Sequence, residues 1–150
     1  MTLEQIFSIV NSVAFFSWIF LFVFYKKKWV FTVIFSGVFV LMALTYIWFI
    51  ASGLGGDSQG GFDSLANVKA LFSKDEAVLA GWIHYLVFDL FVGMWITQDA
   101  KKRGINRWVI LPCLLGTFML GPAGLLLYII IRTVHLKRFP HHPYDEELVF

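Results

Sequence analysis

Four long apolar stretches decide what this chain can fold into. They cover roughly residues 3–24, 29–50, 77–98 and 108–131. Each is about as long as the 18 to 20 mostly apolar residues that a helix needs to cross the hydrocarbon core of a bilayer. Hydrophobic residues make up 59% of the chain and charged residues only 15%, a composition outside the range of soluble domains. The sequence therefore predicts an all-α membrane protein with a four-helix transmembrane bundle.

The predicted bundle leaves little chain for anything else. It forms a single domain over residues 1–132, and residues 133–150 form a polar tail. The formal net charge is +2, and the basic residues stand in short blocks beside the apolar stretches, so a nucleic-acid partner is not expected. Seventeen Phe and six Trp are typical of surfaces that face membrane lipids. The lone Cys113 lies in an apolar stretch and excludes a disulfide framework.

Basic residues also predict an orientation. The block at 26–28 and the block at 101–107 follow the first and third stretches, and short basic loops are retained in the cytoplasm. With four spans, both termini then face outward. Arg132 and the pair at 137–138 argue against this orientation, because they would also lie outside. The first stretch follows an acidic Glu4 and not a basic segment, which predicts a retained span in a bacterial cytoplasmic membrane rather than a cleaved leader.

The one long connection, between the second and third stretches, has two parts. Glycines crowd residues 53–61 and indicate a hinge or a lid. Residues 63–72 place apolar side chains at helical spacing behind Asp63, which predicts a short interfacial helix with an aspartate N-cap; an ordered turn without a role is the alternative. Ser73 with Glu76 three residues later predicts a capping box at the start of the third span.

Asp89 is the one charged side chain that lies well inside an apolar stretch. A charged, unpaired carboxylate at membrane depth costs several kcal/mol, so this group is expected to be protonated, paired or beside a polar cavity. It lies about 18 Å below the outer end of its span at 1.5 Å per residue. Trp82, Tyr85 and Gly93 share its helix face, and this face is predicted to point into the bundle. Asp89 acts either as a catalytic acid or as a hydrogen-bonding group between helices.

His84 is a second candidate acid or base, because the ordinary pKa of histidine lies near neutrality. Five residues of helix separate it from Asp89 by about 140° around the axis, so the two side chains do not share a face. A histidine at the interface without a chemical role is the alternative. Within the predicted spans only these two residues resemble metal ligands, and His141 and His142 lie in the tail, so no metal site is expected. The sequence identifies no cofactor.

Further polar residues fall at similar depth in the outer half of the bilayer. Asn11 lies in the first stretch, and Thr45 and Tyr46 lie in the second. Depth alone predicts that they line a pocket together with His84 and Asp89, open under the glycine-rich loop. Such a pocket suits a lipophilic molecule that carries a polar end group and arrives from the outer leaflet.

The fourth stretch contains Pro112 and the run Gly121-Pro122-Ala123-Gly124. Proline kinks a helix and glycines allow close packing, so the sequence predicts one kinked, closely packed fourth helix. Near its end, Arg132 is expected to snorkel to lipid headgroups or to hold an anionic group.

These arguments define two sets of candidate site residues. The predicted catalytic residues are Asp89, His84 and Tyr85. The predicted substrate-binding residues are Asn11, Tyr46, Trp82, Gly93, Pro122 and Tyr128.

Two segments resemble a known family. Residues 82–96 with Asp99-Ala100, and Gly121-Pro122-Ala123-Gly124 with the following Tyr128 and Arg132, are similar to the abscisic-acid-deficiency family of small four-span membrane proteins. Plant members of this family are needed for neoxanthin synthesis. The likeness is strongest over residues 77–132.

The resemblance implies an enzyme, or an enzyme component, that acts on a carotenoid or a related isoprenoid lipid. Formation of neoxanthin from violaxanthin is an isomerisation that opens an epoxide. In such a reaction Asp89, helped by Tyr85, could donate the proton, and His84 or Tyr46 could accept the proton lost from carbon. Oxidative cleavage to an apocarotenal such as retinal is equally open. The alternative is a non-catalytic carotenoid-binding or assembly protein that serves a partner enzyme of the carotenoid pathway.

Overall fold

A computed structural model of the protein describes residues 1–54 and 60–139. Throughout these two ranges the regular structure is helical and no strand occurs, which confirms the all-α prediction. The helices are α1 (Leu3–Val23), α2 (Lys28–Val33), a π-helical turn (Ile34–Val38), α3 (Phe39–Leu54), α4 (Leu65–Leu71), α5 (Asp75–Lys102), α6 (Arg107–Leu120) and α7 (Pro122–Leu136). The predicted hinge or lid falls largely outside the described residues, as does the predicted tail.

Three helical segments of the described chain are long and apolar enough to cross a membrane. They are α1, α5 and the continuous segment Lys28–Ser52, which joins α2 to α3 through the π-helical turn. Their positions agree with the first three predicted spans. The chain is therefore a membrane protein by the length and composition of these helices.

The fourth predicted span is not one helix in the structure. It is divided into α6, with 14 residues, and α7, with 15 residues, and each is shorter than the roughly 20 residues that a crossing needs. The break lies at Gly121, whose φ of 50° and ψ of −100° suit a residue without a Cβ atom. Pro122 then starts α7, at a position where its missing N–H is harmless. The prediction of one kinked helix is wrong, because the Gly-Pro step ends the first helix and starts a second.

Close contacts show that α7 folds back along α6. A Cβ atom added to Gly124 would meet the backbone nitrogen of Thr117 and the carbonyl oxygen of Cys113, and one added to Gly116 would lie 3.1 Å from the Gly124 Cα atom. In one straight helix, residues 116 and 124 would be about 12 Å apart along the axis. We call the resulting antiparallel pair, α6 with α7, the helical hairpin.

The hairpin inserts beside α5 and reaches only to its middle. At the open end, Arg132 of α7 donates to Asp99, close to the C-terminus of α5. At the tip, Gly121 lies against Asp89, which is half-way along α5. The hairpin therefore enters the bundle from the side on which α5 ends and returns to that side.

Two hydrophobic cores lie one above the other along α5. The inner core, at the end of the bundle where α5 finishes, takes buried residues from α1, α2, the π-helical turn, α5, α6 and α7. The outer core takes buried residues only from α1, α3 and α5, as far as the chain is described. Helix α5 runs through both cores, so the other helices pack around it.

Because α7 returns to the end at which α5 finishes, the start of α1 and the end of α7 lie at opposite ends of the helix bundle. Which side of the membrane each terminus faces stays a prediction. The described chain contains all twelve Lys and Arg residues, and Lys69 and Lys74 are the two on the side where α1 begins. The conflict posed by Arg132 and by residues 137–138 disappears, since these residues lie on the same side as the two basic loops.

The loop helix α4 is shorter than predicted and has a different cap. Ser64, and not Asp63, accepts a hydrogen bond from the backbone of Asn67. The Asn67 side-chain amide donates to Asp63 at 2.8 Å and holds the pKa of that carboxyl below its usual value. This contact is accordingly lost only as the pH falls through the lowered pKa of Asp63. The ring of Phe72 covers Gly81 and fastens the loop to α5.

The predicted capping box at the third span is wrong. Lys74 is the N-cap of α5 and makes no side-chain capping bond, because the Ser73 hydroxyl donates instead to the carbonyl of Ala70. A capping box is present at the start of α1, where Thr2 and Gln5 bond each other's backbone.

Candidate functional site

The chain reversal at the tip of the hairpin lies against Asp89. A Cβ atom on Gly121 would lie 2.8 Å from Asp89 Oδ1, so only glycine leaves room for the carboxyl. The other oxygen, Oδ2, is buried and has no hydrogen-bond partner among residues 1–54 and 60–139. A buried polar atom that lacks a partner is costly, and it marks Asp89 as the group that a ligand would satisfy.

Tyr85 lies one helical turn before Asp89, on the same face. Its hydroxyl donates to the carbonyl of Phe118 at 3.4 Å, and the phenol also interacts electrostatically with the Asp89 carboxyl. Phe118 belongs to the last turn of α6, where carbonyl groups lack partners within the helix. Tyr85 therefore links α5 to the hairpin tip and stands next to the acid.

Asn11 and Trp82 meet directly above this acid. The indole Nε1 donates to Asn11 Oδ1 at 3.1 Å, and Asn11 Nδ2 donates to the carbonyl of Phe7 at 2.7 Å. The ring of Trp82 lies 5.3 Å from that of Tyr85 and 5.9 Å from that of Phe7, between centroids. The structure thus brings Asn11, Trp82, Tyr85 and Asp89 to one region, as depth and helix face predicted.

Gly93 has a packing contact where the sequence predicted a ligand contact. A Cβ atom at this position would meet the ring of Trp18, and this ring in turn packs edge-on against Phe118 at 5.8 Å. The small residue therefore admits a large aromatic ring from α1.

His84 lies on a different face of α5, as the helical geometry predicted. Its ring stacks on Phe88 at 4.4 Å and lies 5.9 Å from the ring of Tyr46. His84 is exposed toward the side of α3. Within the described part of the chain, Tyr46 and His84 therefore lie together but not on the face of α5 that carries Asp89.

Tyr128 points away from Asp89 and belongs to a buried cluster at the inner end of the bundle. Its hydroxyl donates to Asp99 Oδ2 at 2.6 Å, and Arg132 Nε donates to the same oxygen at 2.8 Å. Arg103 Nε donates to Asp99 Oδ1 at 2.9 Å. Arg132 is 1% exposed, so the expectation that it snorkels to lipid headgroups is wrong.

Sequence reasoning did not identify Asp99, because it lies at the border of its apolar stretch. Two spacings were available as signals: Arg103 follows Asp99 by four residues, and Arg132 follows Tyr128 by four residues. Residues four apart share a helix face, so both pairs indicated polar faces that need partners.

Pro122 is exposed at the hairpin tip, next to the glycine that contacts Asp89. Over the described ranges, no three His, Cys, Asp or Glu side chains come close enough to hold a metal ion. Proton transfer and hydrogen bonding by Asp89 and Tyr85 are the chemistry that this site can offer from its own side chains.

Comparisons with known proteins give one match. The family model ABA4-like, described as ABA DEFICIENT 4-like, matches residues 5–128. No curated protein and no solved structure matches the chain.

Proposed function

The chain belongs to the ABA DEFICIENT 4-like family, and from this membership and the position of Asp89 we propose that it acts on a carotenoid or a related isoprenoid lipid. It does so as a membrane-embedded enzyme or as a component of one, beside other enzymes of the carotenoid pathway. The family name connects it to the route through neoxanthin to abscisic acid.

The observation that supports this proposal most directly is the unpartnered carboxyl oxygen of Asp89 at the middle of a membrane-spanning helix. A lipid-soluble substrate reaches such a depth without leaving the hydrocarbon. The ring of Tyr85 adjoins the acid and the ring of Trp82 lies next to that of Tyr85, and flat apolar surfaces suit a conjugated chain.

An epoxide-opening isomerisation fits one carboxyl group. Asp89 donates its proton to the epoxide oxygen as the carbon–oxygen bond breaks, and the carboxylate so formed removes a proton from the neighbouring carbon as the allene forms. The proton count balances and no oxidant is used. Tyr85 stabilises the carboxylate between the two steps. His84 lies on another face of α5, and Tyr46 of α3 packs beside it, so we assign neither residue a part in this reaction.

Substitution of Asp89 by asparagine tests the proposal. A carotenoid-producing host expresses the wild-type chain, Asp89→Asn or His84→Ala, and its pigments and retinoids are separated by chromatography. The wild type is expected to form a new polyene product, and Asp89→Asn to form at least about 100-fold less, in line with the loss of a general acid. His84→Ala serves as the matched control from the opposite face of the same helix and is expected to retain the product.

The other outcomes of this experiment are compared between variants that reach the membrane in equal amounts. Product formation by Asp89→Asn contradicts the role of this acid. An apocarotenal product shows cleavage in place of isomerisation. Coloured carotenoid that copurifies without a product supports the alternative, a non-catalytic binding or assembly protein, which the exposed rings around Trp82 also suit. If no new product forms and no pigment copurifies, the carotenoid assignment is contradicted.

We also propose that α1 begins outside and α7 ends in the cytoplasm, as the positive-inside rule requires for the basic loops. In a Cys113→Ser background, which has no other cysteine, Phe62→Cys and Phe139→Cys place a thiol at residues that are 86% and 69% exposed. A membrane-impermeant thiol reagent is expected to label Phe62→Cys in intact cells and Phe139→Cys only after permeabilisation. Labelling of both in intact cells would contradict the hairpin.

A further inference from the structure

Among residues 1–54 and 60–139, the helical hairpin leaves part of α5 uncovered. Its tip reaches the depth of Asp89 and goes no further, and the described residues of the outer core come only from α1, α3 and α5. A full fourth span would have continued past Trp82 on the same side. In its absence, the face of α5 that carries Trp82, Tyr85 and Asp89 borders the bilayer above the tip.

Aromatic side chains line this uncovered face from the outer surface to the hairpin. We call them the aromatic wall. It consists of Phe7, Phe15, Trp82, Tyr85 and Phe118. Phe7 is 41% exposed, Phe15 is 49% exposed and Trp82 is 38% exposed.

The rings of the wall are held in place by one another. Phe118 of the tip lies 6.3 Å from Phe15, between centroids, and the hydrogen bond from Trp82 to Asn11 fixes the indole against α1. Rigid rings offer contact area with little loss of side-chain entropy. The wall thus gives an extended ligand a continuous apolar surface.

The depth of the acid restricts which ligands can use this surface. Asp89 lies 14 residues after the start of α5, or about 21 Å along the helix axis. A phospholipid keeps its charged headgroup at the interface and therefore cannot bring a headgroup oxygen to Asp89. A neutral chain with one weakly polar oxygen can do so, because the cost of burying that oxygen is offset by a hydrogen bond to the unpartnered carboxyl.

We propose that a linear conjugated isoprenoid reaches Asp89 sideways from the outer half of the bilayer, passing over the hairpin tip. Its chain lies on the aromatic wall and its oxygen-bearing group bonds to Asp89. This proposal rests on the proposed function and adds the route by which the substrate reaches the site. This lateral route differs from the predicted entry under the glycine-rich loop, because the ligand would enter directly from the surrounding lipid.

Energy transfer from tryptophan to retinol tests the route. Retinol is a conjugated isoprenoid alcohol, and the purified full chain in lipid nanodiscs is titrated with it while transfer from the six tryptophans is recorded. A saturable component is expected above the linear background of retinol dissolved in lipid. Trp82→Phe is expected to lower this component more than the loss of a tryptophan outside the aromatic wall, because Trp82 belongs to the wall and adjoins Tyr85.

Two further variants complete the test. Trp48→Phe is the matched control: Trp48 is 72% exposed on α3 and lies outside the aromatic wall, so its replacement is expected to lower the saturable component less than Trp82→Phe does. Asp89→Leu keeps every tryptophan and is expected to weaken retinol binding about fivefold through loss of one hydrogen bond. Excess phospholipid is expected not to displace retinol.

The outcomes separate this inference from the proposed function. Absence of a saturable component, or a component that depends on Trp48 and not on Trp82, overturns the route. Unchanged retinol binding by Asp89→Leu overturns the docking of oxygen at Asp89. Saturable binding at Trp82 in a protein that forms no polyene product supports the site and contradicts catalysis. Product formation in a protein that shows no saturable retinol binding at Trp82 supports catalysis and contradicts the proposed route.

Discussion

Arg132→Met is expected to lower the free energy of unfolding by about 3 kcal/mol, at the lower end of the cost of breaking a buried ion pair. The Arg132 guanidinium is 1% exposed, and its Nε atom lies 2.8 Å from Asp99 Oδ2. Removal of the charge leaves the Asp99 carboxylate with Tyr128 and Arg103 as partners. Arg103 keeps part of the pairing, which is why the lower end of the range applies. Thermal unfolding in detergent measures the effect.

Two comparisons decide whether the buried pair is the cause. Arg138→Met removes an exposed arginine at the same end of the chain and is expected to change stability by less than about 0.5 kcal/mol. The double variant Asp99→Leu with Arg132→Met removes both buried charges and is expected to be more stable than Arg132→Met alone. An Arg132→Met protein as stable as the wild type would show that Asp99 does not depend on this partner.

Gly124→Ala is expected to destabilise the protein by about 3 kcal/mol, at the upper end of the usual cost of overpacking. The added methyl group would meet the backbone nitrogen of Thr117 and the carbonyl oxygen of Cys113. Backbone atoms within a helix cannot move aside as a flexible side chain can, so α6 and α7 must separate. The tip at Gly121 then moves away from Asp89, and we expect product formation to fall together with stability.

Gly37→Ala provides the same chemical change at a place where it is harmless. A Cβ atom on Gly37 meets nothing within 4 Å, and alanine in a helix is up to about 1 kcal/mol more favourable than glycine. We therefore expect an unchanged or slightly raised thermal midpoint. Equal midpoints for Gly124→Ala and the wild type would contradict the close approach of the two hairpin helices.

Much of the fold followed from local properties of the chain. The lengths and apolar composition of the first three stretches predicted the three spanning helices, because one helical residue advances 1.5 Å and the bilayer has a set thickness. The angle between Asp89 and His84 followed from the same helical repeat. The placement of Trp82 and Tyr85 beside Asp89 also follows from this repeat, since all three occupy one helix face.

The hairpin did not follow from these properties, because hydropathy records how many apolar residues occur in a row and not their direction. A stretch of 24 residues at 108–131 can cross the bilayer once or enter it and return. The backbone angles of Gly121 and the close approach of Gly124 to Thr117 show that the chain turns back on itself. The predicted orientation of the termini rested on the same assumption of a full fourth crossing.

The sequence by itself determined that this protein is a helical membrane protein of the ABA DEFICIENT 4-like family, with an acid half-way along its third span. Only the tertiary structure placed a chain reversal against that acid, packed Tyr46 beside His84, and joined Asp99 to Arg132 across 33 residues of sequence. Helical periodicity is local and is encoded within a few turns. Chain reversal and pairing between distant side chains depend on which surfaces fit together, and this is decided by close packing in three dimensions.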